Sequence, residues 1–335
     1  MDTPLNSCEF NTIMARHHTL LDSNDNIAVA VSGGGDSLAL AHLLAHWCQG
    51  VNKTLHILTV DHKLRSESSA EAEKVKSWVS TWPNVVHHTL KWNDANKPQT
   101  RIQESARNAR YDLLESYCQA HNITALFLGH HLNDQFETFI IRLTSGSGLT
   151  GLCAMDEITT SPTGINKIRP LLHHSHDTIL DYLRENDMAW IEDPSNKNDK
   201  FKRVRVRKAE PFLSEEGLSP RRVDTLITRL NRANTALEHY THQALSDMLI
   251  TQNEQSYSLS FSSFLSCPEE IRLRILKTIM QDLQGNHMPY PPNSEKLENL
   301  HDKIISEKEG YKGATLYKCH LSLKEKKKIL CISVE

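Results

Sequence analysis

Three clusters in this chain of 335 residues have the types and spacing that chemistry needs. The first is Ser32, Gly33, Gly34, Gly35, Asp36 and Ser37, between an apolar run at 27–31 and a helical pattern. Backbone amides in such a turn can cradle phosphate, and glycines allow positive φ and close approach. The helix N-terminus behind the turn favours an anion. There is no lysine of the kinase-type phosphate loop. Asp36 meets phosphate only with repulsion, so it must act through Mg²⁺ or hold something cationic. A plain glycine turn capped by Ser37 is the competing reading, and the complete hexapeptide between strand and helix tips the balance to phosphate.

The second cluster is His130, His131, Asp134 and Glu137. Asp134 and Glu137 are three apart, so on a helix they share a face and could together hold an ammonium group or Mg²⁺. The histidines follow a predicted strand, at the edge where ligands of open α/β sheets bind. The third is a set of arginines. Arg107 and Arg110, three apart, lie off an apolar stripe and suit phosphate or RNA backbone. Between 197 and 232, eleven lysines and arginines, among them Arg203, Arg205 and Arg207, oppose five carboxylates. Such a surplus is either a solvated face or a phosphate-backbone footprint. His173, His174 and His176 lack a matching ligand cluster elsewhere in the sequence and read as a polar loop.

The elements that must position these residues follow from periodicity. Apolar runs at 27–31, 55–60, 85–90 and 124–129 read as strands. Helical patterns cover 37–47, 67–79, 101–120 and 133–144. Strands alternating with helices predict an α/β fold, a doubly wound parallel sheet covered on both faces. Past residue 215 apolar residues recur at helical spacing through 218–249 and 270–283, with a break at Tyr290, Pro291 and Pro292 and a short β-like tail at 329–334. The expected organisation is a domain at 1–215 and a smaller, mostly helical one at 216–335. Residues 146–151 spell GxGxxG, but behind a helix rather than a strand, so a dinucleotide fingerprint fails on context. Lys324 to Lys328 reads as a solvated turn.

Composition sets the outer limits. With 39% hydrophobic and 24% charged residues the chain can build ordinary cores. No run of 18 apolar residues is present, and the start MDTPLNSCEF has no signal-peptide character. Seven scattered cysteines without a CxxC fit a reducing cytosol and argue against a zinc ribbon, a cluster or a disulfide scaffold. The expectation is a cytoplasmic protein. Net charge of −3 leaves nucleic-acid binding to a local basic patch.

The hexapeptide at 32–37 matches the SGGxDS signature of the N-type ATP pyrophosphatase, or PP-loop, superfamily. Further segments resemble the tRNA(Ile)-lysidine synthase family in order and spacing over 27–213: Val60 to Arg65 (VDHKLR), 102–111 (IQESARNARY), 130–138 (HHLNDQFET), and Asp193, Pro194, Ser195, Asn196 followed by Phe201, Arg203 and Arg207. The resemblance implies ATP and Mg²⁺ as cofactors and an isoleucine tRNA and free lysine as substrates. It implies a ligase that adenylates the wobble cytidine and then joins lysine to it, expelling AMP. It makes 32–37 the ATP site, with Asp36 as Mg²⁺ ligand. Asp36, His130, Asp134 and Glu137 become catalytic candidates. Arg107, Arg110, Asp134, Glu137, Arg203 and Arg207 become contacts to lysine or tRNA. Two positions depart from the family pattern: Asn133 stands where Asp is common, and Val204 where Asn is common. The competing functions are a tRNA thiolase on the same fold, which needs paired cysteines, and a nucleotide- and RNA-binding protein without turnover.

Overall fold

The computed structural model describes residues 4–22, 24–63, 67–92, 102–192, 200–285, 293–307, 311–324 and 328–335. Among them the elements run α1 Ser7–Ala15, α2 His18–Leu21, β1 Asn26–Ala30, α3 Gly35–Val51, β2 Thr54–Asp61, α4 Ser68–Val79, β3 Val85–Lys91, α5 Ile102–Ala120, β4 Ala125–Phe127, α6 Leu132–Leu143, α7 Leu149–Leu152, β5 Ile158–Thr160, β6 Asn166–Ile168, α8 His176–Glu185, α9 Lys202–Glu215 and α10 Pro220–Met248. Then follow β7 Leu249–Asn253, β8 Ser256–Ser260, α11 Phe261–Ser266, α12 Glu269–Gln284, α13 Ser294–Ser306, β9 Ala314–Leu316, β10 Cys319–Lys324 and β11 Ile329–Val334. The chain divides into two compact units, Met1–Ser147 with Gly151–Ile227, and Gly148–Thr150 with Thr228–Glu335.

In the first unit the strand order is β3-β2-β1-β4-β6-β5. The pairings from β3 through β6 are parallel, and only β5 runs against its neighbour at the edge. Alternation along β1 shows why both faces are covered. Ile27, Val29 and Val31 join one core with Leu40, Leu44, Val75 and Ile179, on α3, α4 and α8. Ala28 and Ala30 point the other way and join Leu114 and Cys118 of α5. A strand buried on both faces has no polar side to show, which is why 27–31 is continuously apolar. The order reverses between β1 and β4: β2 and β3 build outward from one side of β1, β4 and β6 from the other. Both strands therefore open their C-terminal ends onto one crevice, the place where open α/β sheets bind ligands.

The doubly wound sheet matches the sequence expectation, with two differences. The β5–β6 hairpin was not anticipated, because three-residue strands within a polar stretch carry too little periodicity to read. In the second unit the expected helices are present, but the tail at 329–334 is one strand of a five-stranded antiparallel sheet, order β7-β8-β11-β10-β9. Tyr257, Leu259, Leu321, Leu330 and Ile332 of that sheet share a core with Phe264, Ile275, Leu276 and Ile304 of the helices. Lys324 ends β10 and pairs with Ile329 of β11; residues 325–327 of the expected solvated turn lie outside the described residues. So do Tyr290, Pro291 and Pro292. The GxGxxG at 146–151 does follow a helix, α6.

Candidate active site

The loop after β1 and the loop after β4 meet at the crevice. Gly33 has φ of 91°, a left-handed conformation that glycine adopts without strain. A Cβ there would also lie 2.8 Å from Ile191 Cδ1. Ser37 Oγ accepts from the Ser32 amide at 3.1 Å and donates to the Gly34 carbonyl at 3.0 Å, fixing the turn from within. Ser32 is exposed and Gly34 and Asp36 half-buried. α3 starts at Gly35, so its first-turn amides, which no helix carbonyl can satisfy, open toward the crevice. Gly129, two residues past β4, is a glycine to which the sequence assigns no role by itself. A Cβ on it would sit 3.0 Å from the Asp36 carbonyl carbon and oxygen and from Ser37 Cα, all backbone. Only a missing side chain lets β4 close against the start of α3. Its position as the last residue of the predicted strand, directly before the histidine pair, is the available signal.

Asp36 is held by two imidazoles. His176 Nδ1 lies 2.8 Å from one carboxylate oxygen and His131 Nε2 3.6 Å from the other. The hydrogen bond to Asp36 keeps His176 above the usual imidazole range, against its burial. The polar-loop reading of the 173–176 histidines needs correcting here. Ser175 caps α8 by accepting from the Thr178 amide, His176 opens that helix, and His173 contacts Asp224 at 3.0 Å. Nothing in the sequence near His176 points to Asp36, 140 residues away.

His131 Nε2 is also 3.5 Å from Asp134, so a single imidazole separates Asp36 from the acidic face of α6. Asp134 and Glu137 share that face, as their spacing requires, and both are buried. Asp134 accepts from the His131 amide at 3.2 Å. Burial raises its pKa, but His131, His130 and Arg203 outweigh that and hold the carboxyl below the usual range. For Glu137 burial prevails over the Arg207 hydrogen bond and its pKa is raised. Its Oε1 accepts from Arg207 Nε at 2.7 Å, while Oε2 is buried without a hydrogen-bond partner. Arg203 approaches Asp134 at 3.4 Å and Glu137 at 3.9 Å and donates to Thr138 at 3.1 Å. Arg203 and Arg207 are four apart on α9 and so present one basic face to one acidic face.

His130 is driven down to about 3 by burial, with the charges of Arg169, Arg107 and Arg203 adding to the effect against Asp134. It is therefore neutral near pH 7. Arg107 is exposed, stacked over Tyr111 at 5.2 Å, and Arg110 is half-buried. Arg205 donates to the Lys200 carbonyl at 3.0 Å. The two departures from the family pattern acquire roles. Asn133 donates to Glu210 at 3.2 Å and accepts from the His176 amide at 3.1 Å, tying α6 to α9 and α8. An aspartate there could not donate to a carboxylate. Val204 is buried in α9. Residues 64–66 and 193–199, which carry Leu64, Arg65 and the Asp193-to-Asn196 segment, lie outside the described residues, as do the side chains of 102–104.

A glycine turn opening a helix N-terminus, next to buried carboxylates faced by arginines, has the chemistry to hold a polyphosphate and a cation together. Comparison with known proteins narrows this. The PP-loop domain family matches residues 7–210. The chain is 35% identical to a tRNA(Ile)-lysidine synthase of Wolbachia pipientis over 299 residues, covering 89% of this chain and 68% of that protein. It is 35% identical to the enzyme of that name from Bradyrhizobium diazoefficiens over 283 residues, covering 82% and 76%. A U34-tRNA thiolase from Methanococcus maripaludis, solved with its [4Fe-4S] cluster, superposes with a TM-score of 0.56 at 16% identity, covering 68% of this chain and 80% of that one, which is a likeness of fold. With the phosphate loop at the sheet's switch point and these relatives matched over most of their length, the chain belongs to the tRNA(Ile)-lysidine synthase family of PP-loop proteins.

Proposed function

We propose that the protein is an ATP-dependent carbon–nitrogen ligase that joins free L-lysine to C2 of the wobble cytidine of an isoleucine tRNA. ATP adenylates the cytidine C2 oxygen and releases pyrophosphate. The lysine amine then attacks C2 and AMP leaves. The observation that carries this reading is the single imidazole of His131 standing between Asp36 of the phosphate loop and Asp134 of the acidic helix face. Activation and lysine capture then occur in one crevice, where positioning supplies much of the rate.

Ser32, Gly33, Gly34, Gly35 and Ser37 shape the loop around the ATP phosphates. Asp36 is one half-buried carboxylate beside that loop, a donor that suits Mg²⁺ shared between a carboxylate and substrate phosphates. When bound there, the ion would neutralise phosphate charge. Asp134 and Glu137 receive the lysine ammonium, with the unbonded Oε2 of Glu137 as the open acceptor. Neutral His130 is a hydrogen-bonding group toward the base rather than a cation. Arg107 and Arg110 contact the tRNA, while Arg203 and Arg207 hold the acidic pair in place until substrates arrive. On this reading residues 1–215 are the adenylating domain and 216–335 a tRNA-contacting region, and the protein works in the cytoplasm. No helix among the described residues is long and apolar enough to cross a membrane.

The test is pyrophosphate release from ATP with and without lysine and transcribed tRNA. Release coupled to lysine incorporation, and requiring both, is the expected result. Incorporation of sulfur instead would establish a thiolase, and ATP binding without turnover a non-catalytic protein. Buried Cys118, its thiol pushed up to about 12 by burial, is a poor start for the thiolase chemistry.

A further inference from the structure

Asp36, His131 and His176 bring three potential metal-binding atoms within 4.8 Å of one another. The individual separations are 2.8 Å from Asp36 to His176 and 3.6 Å from Asp36 to His131. Ligand atoms around a tetrahedral zinc ion, with bonds near 2.0–2.1 Å, stand about 3.3 Å apart. These two approaches end on different Asp36 carboxylate oxygens, Oδ1 for His176 and Oδ2 for His131, and fall on either side of that spacing. A second observation concerns His131. It is buried, its Nδ1 has no hydrogen-bond partner, and its Nε2 points at two carboxylate oxygens from beyond hydrogen-bond distance. A buried imidazole with one nitrogen unpartnered and the other aimed at carboxylates is placed as a ligand rather than as a packing residue.

The donor set decides the class of metal. Mg²⁺ takes oxygens, whereas two imidazoles and a carboxylate suit zinc and its neighbours and leave a fourth position open. We propose that Asp36, His131 and His176 form a site for a divalent transition metal of the zinc class, and that its occupancy withdraws Asp36 from the phosphate loop and stops adenylation. Metal binding stands on the geometry alone; the inhibition rests on the function proposed above. The half-exposed His176 gives the ion a route in from solvent.

The full chain, stripped with chelator, is titrated with Co²⁺ and followed by the visible d–d absorption, with Zn²⁺ as competitor. One equivalent is expected, displaced by Zn²⁺. His176→Ala should weaken binding at least about 10-fold, in line with the loss of one ligand or its support, while His176→Asp, which keeps a donor, should lose less. Melting curves confirm that each variant is folded, and His176→Asn replaces the alanine variant if that one is not. Equal Co²⁺ affinity in wild type and the folded non-ligating variant overturns the site. ATP–pyrophosphate exchange in Mg²⁺ is then measured with added Zn²⁺, each protein against its own zinc-free rate. The half-inhibitory concentration should rise at least 10-fold in the variant, and an unchanged value overturns the inhibitory role. If wild type shows no exchange with any tRNA, the ligase reading fails while the Co²⁺ titration still decides the site.

Discussion

Asp36 concentrates the residue-scale argument, because it belongs to the phosphate loop and contributes nothing to the apolar core. Asp36→Ala should reduce ATP–pyrophosphate exchange by at least about 100-fold, the scale of removing a charge-stabilising group. It should change stability by only about 1 kcal/mol, the net worth of its one hydrogen bond, to half-exposed His176. Near-normal exchange in the folded variant would remove Asp36 from the site. Glu137 makes a different prediction. It is 1% exposed with a raised pKa, so burial already works against its charge. Glu137→Gln keeps the shape and should leave the melting temperature close to wild type. It should nevertheless weaken lysine use by roughly 2–5 kcal/mol, the cost of removing one partner of a desolvated charge pair. A lysine KM and second-step rate equal to wild type, in this variant and in Asp134→Asn, would rule the acidic face out as the lysine site.

At the scale of elements, the contact between α6 and α9 changes what the basic stretch at 197–232 means. The sequence left a solvated face and an RNA footprint both open, and the structure pairs two of its arginines with buried carboxylates instead. The triple variant Arg203→Ala, Arg205→Ala, Arg207→Ala should therefore lose catalysis more than tRNA affinity. Its log–log salt slope should flatten by no more than one phosphate contact, about 0.7–0.9. A flattening worth three contacts, about 2.1–2.7, in filter binding would restore the footprint reading. Asn133 serves the same packing. Asn133→Asp removes the donor to Glu210 and sets two carboxylates about 3 Å apart, so it should cost about 1–2 kcal/mol at pH 7. The deficit relative to wild type should shrink as the carboxylates protonate near pH 4, and paired melting curves at the two pH values check it.

Histidines dominate the response of the whole molecule to acid. Burial holds His42 down to about 4 and His130 to about 3, and His56, His87, His88 and His174 also titrate below their ordinary value. With a folded pKa below the unfolded one near 6.5, the unfolded chain takes up protons first. Stability is complete above about pH 6.5 and falls as pH drops toward the folded values. At pH 5, His42 and His130 each account for at most about 2 kcal/mol of that loss. His173 and His176, with raised values, act in the opposite sense: their contribution is present below pH 6.5 and fades as pH rises through their folded values. The majority sets the sign, so the melting temperature should drop by several degrees between pH 7 and pH 5. His42→Gln should flatten that drop, and a melting temperature constant over this range would contradict the burial of these rings.

Local patterns are legible in the amino-acid order alone. The apolar alternation of β1 with α3, the glycine turn at 32–37 and the i, i+3 face of Asp134 and Glu137 are all properties of a few consecutive residues, and each forms as read. The period-2 alternation at 256–260 and 319–324 is equally local, but two short runs flanked by helical periodicity carry a weak signal. Tertiary structure alone decided what those faces meet. Asp36 finds His176 across 140 residues and Glu137 finds Arg207 across 70. Gly129 is required because the backbone at the start of α3 passes 3.0 Å from its absent Cβ. Periodicity fixes which side of an element a residue occupies. Only the packing of that side against another, with the burial that shifts Glu137 up and His130 down, decides whether a charge is paired, neutral or open to substrate.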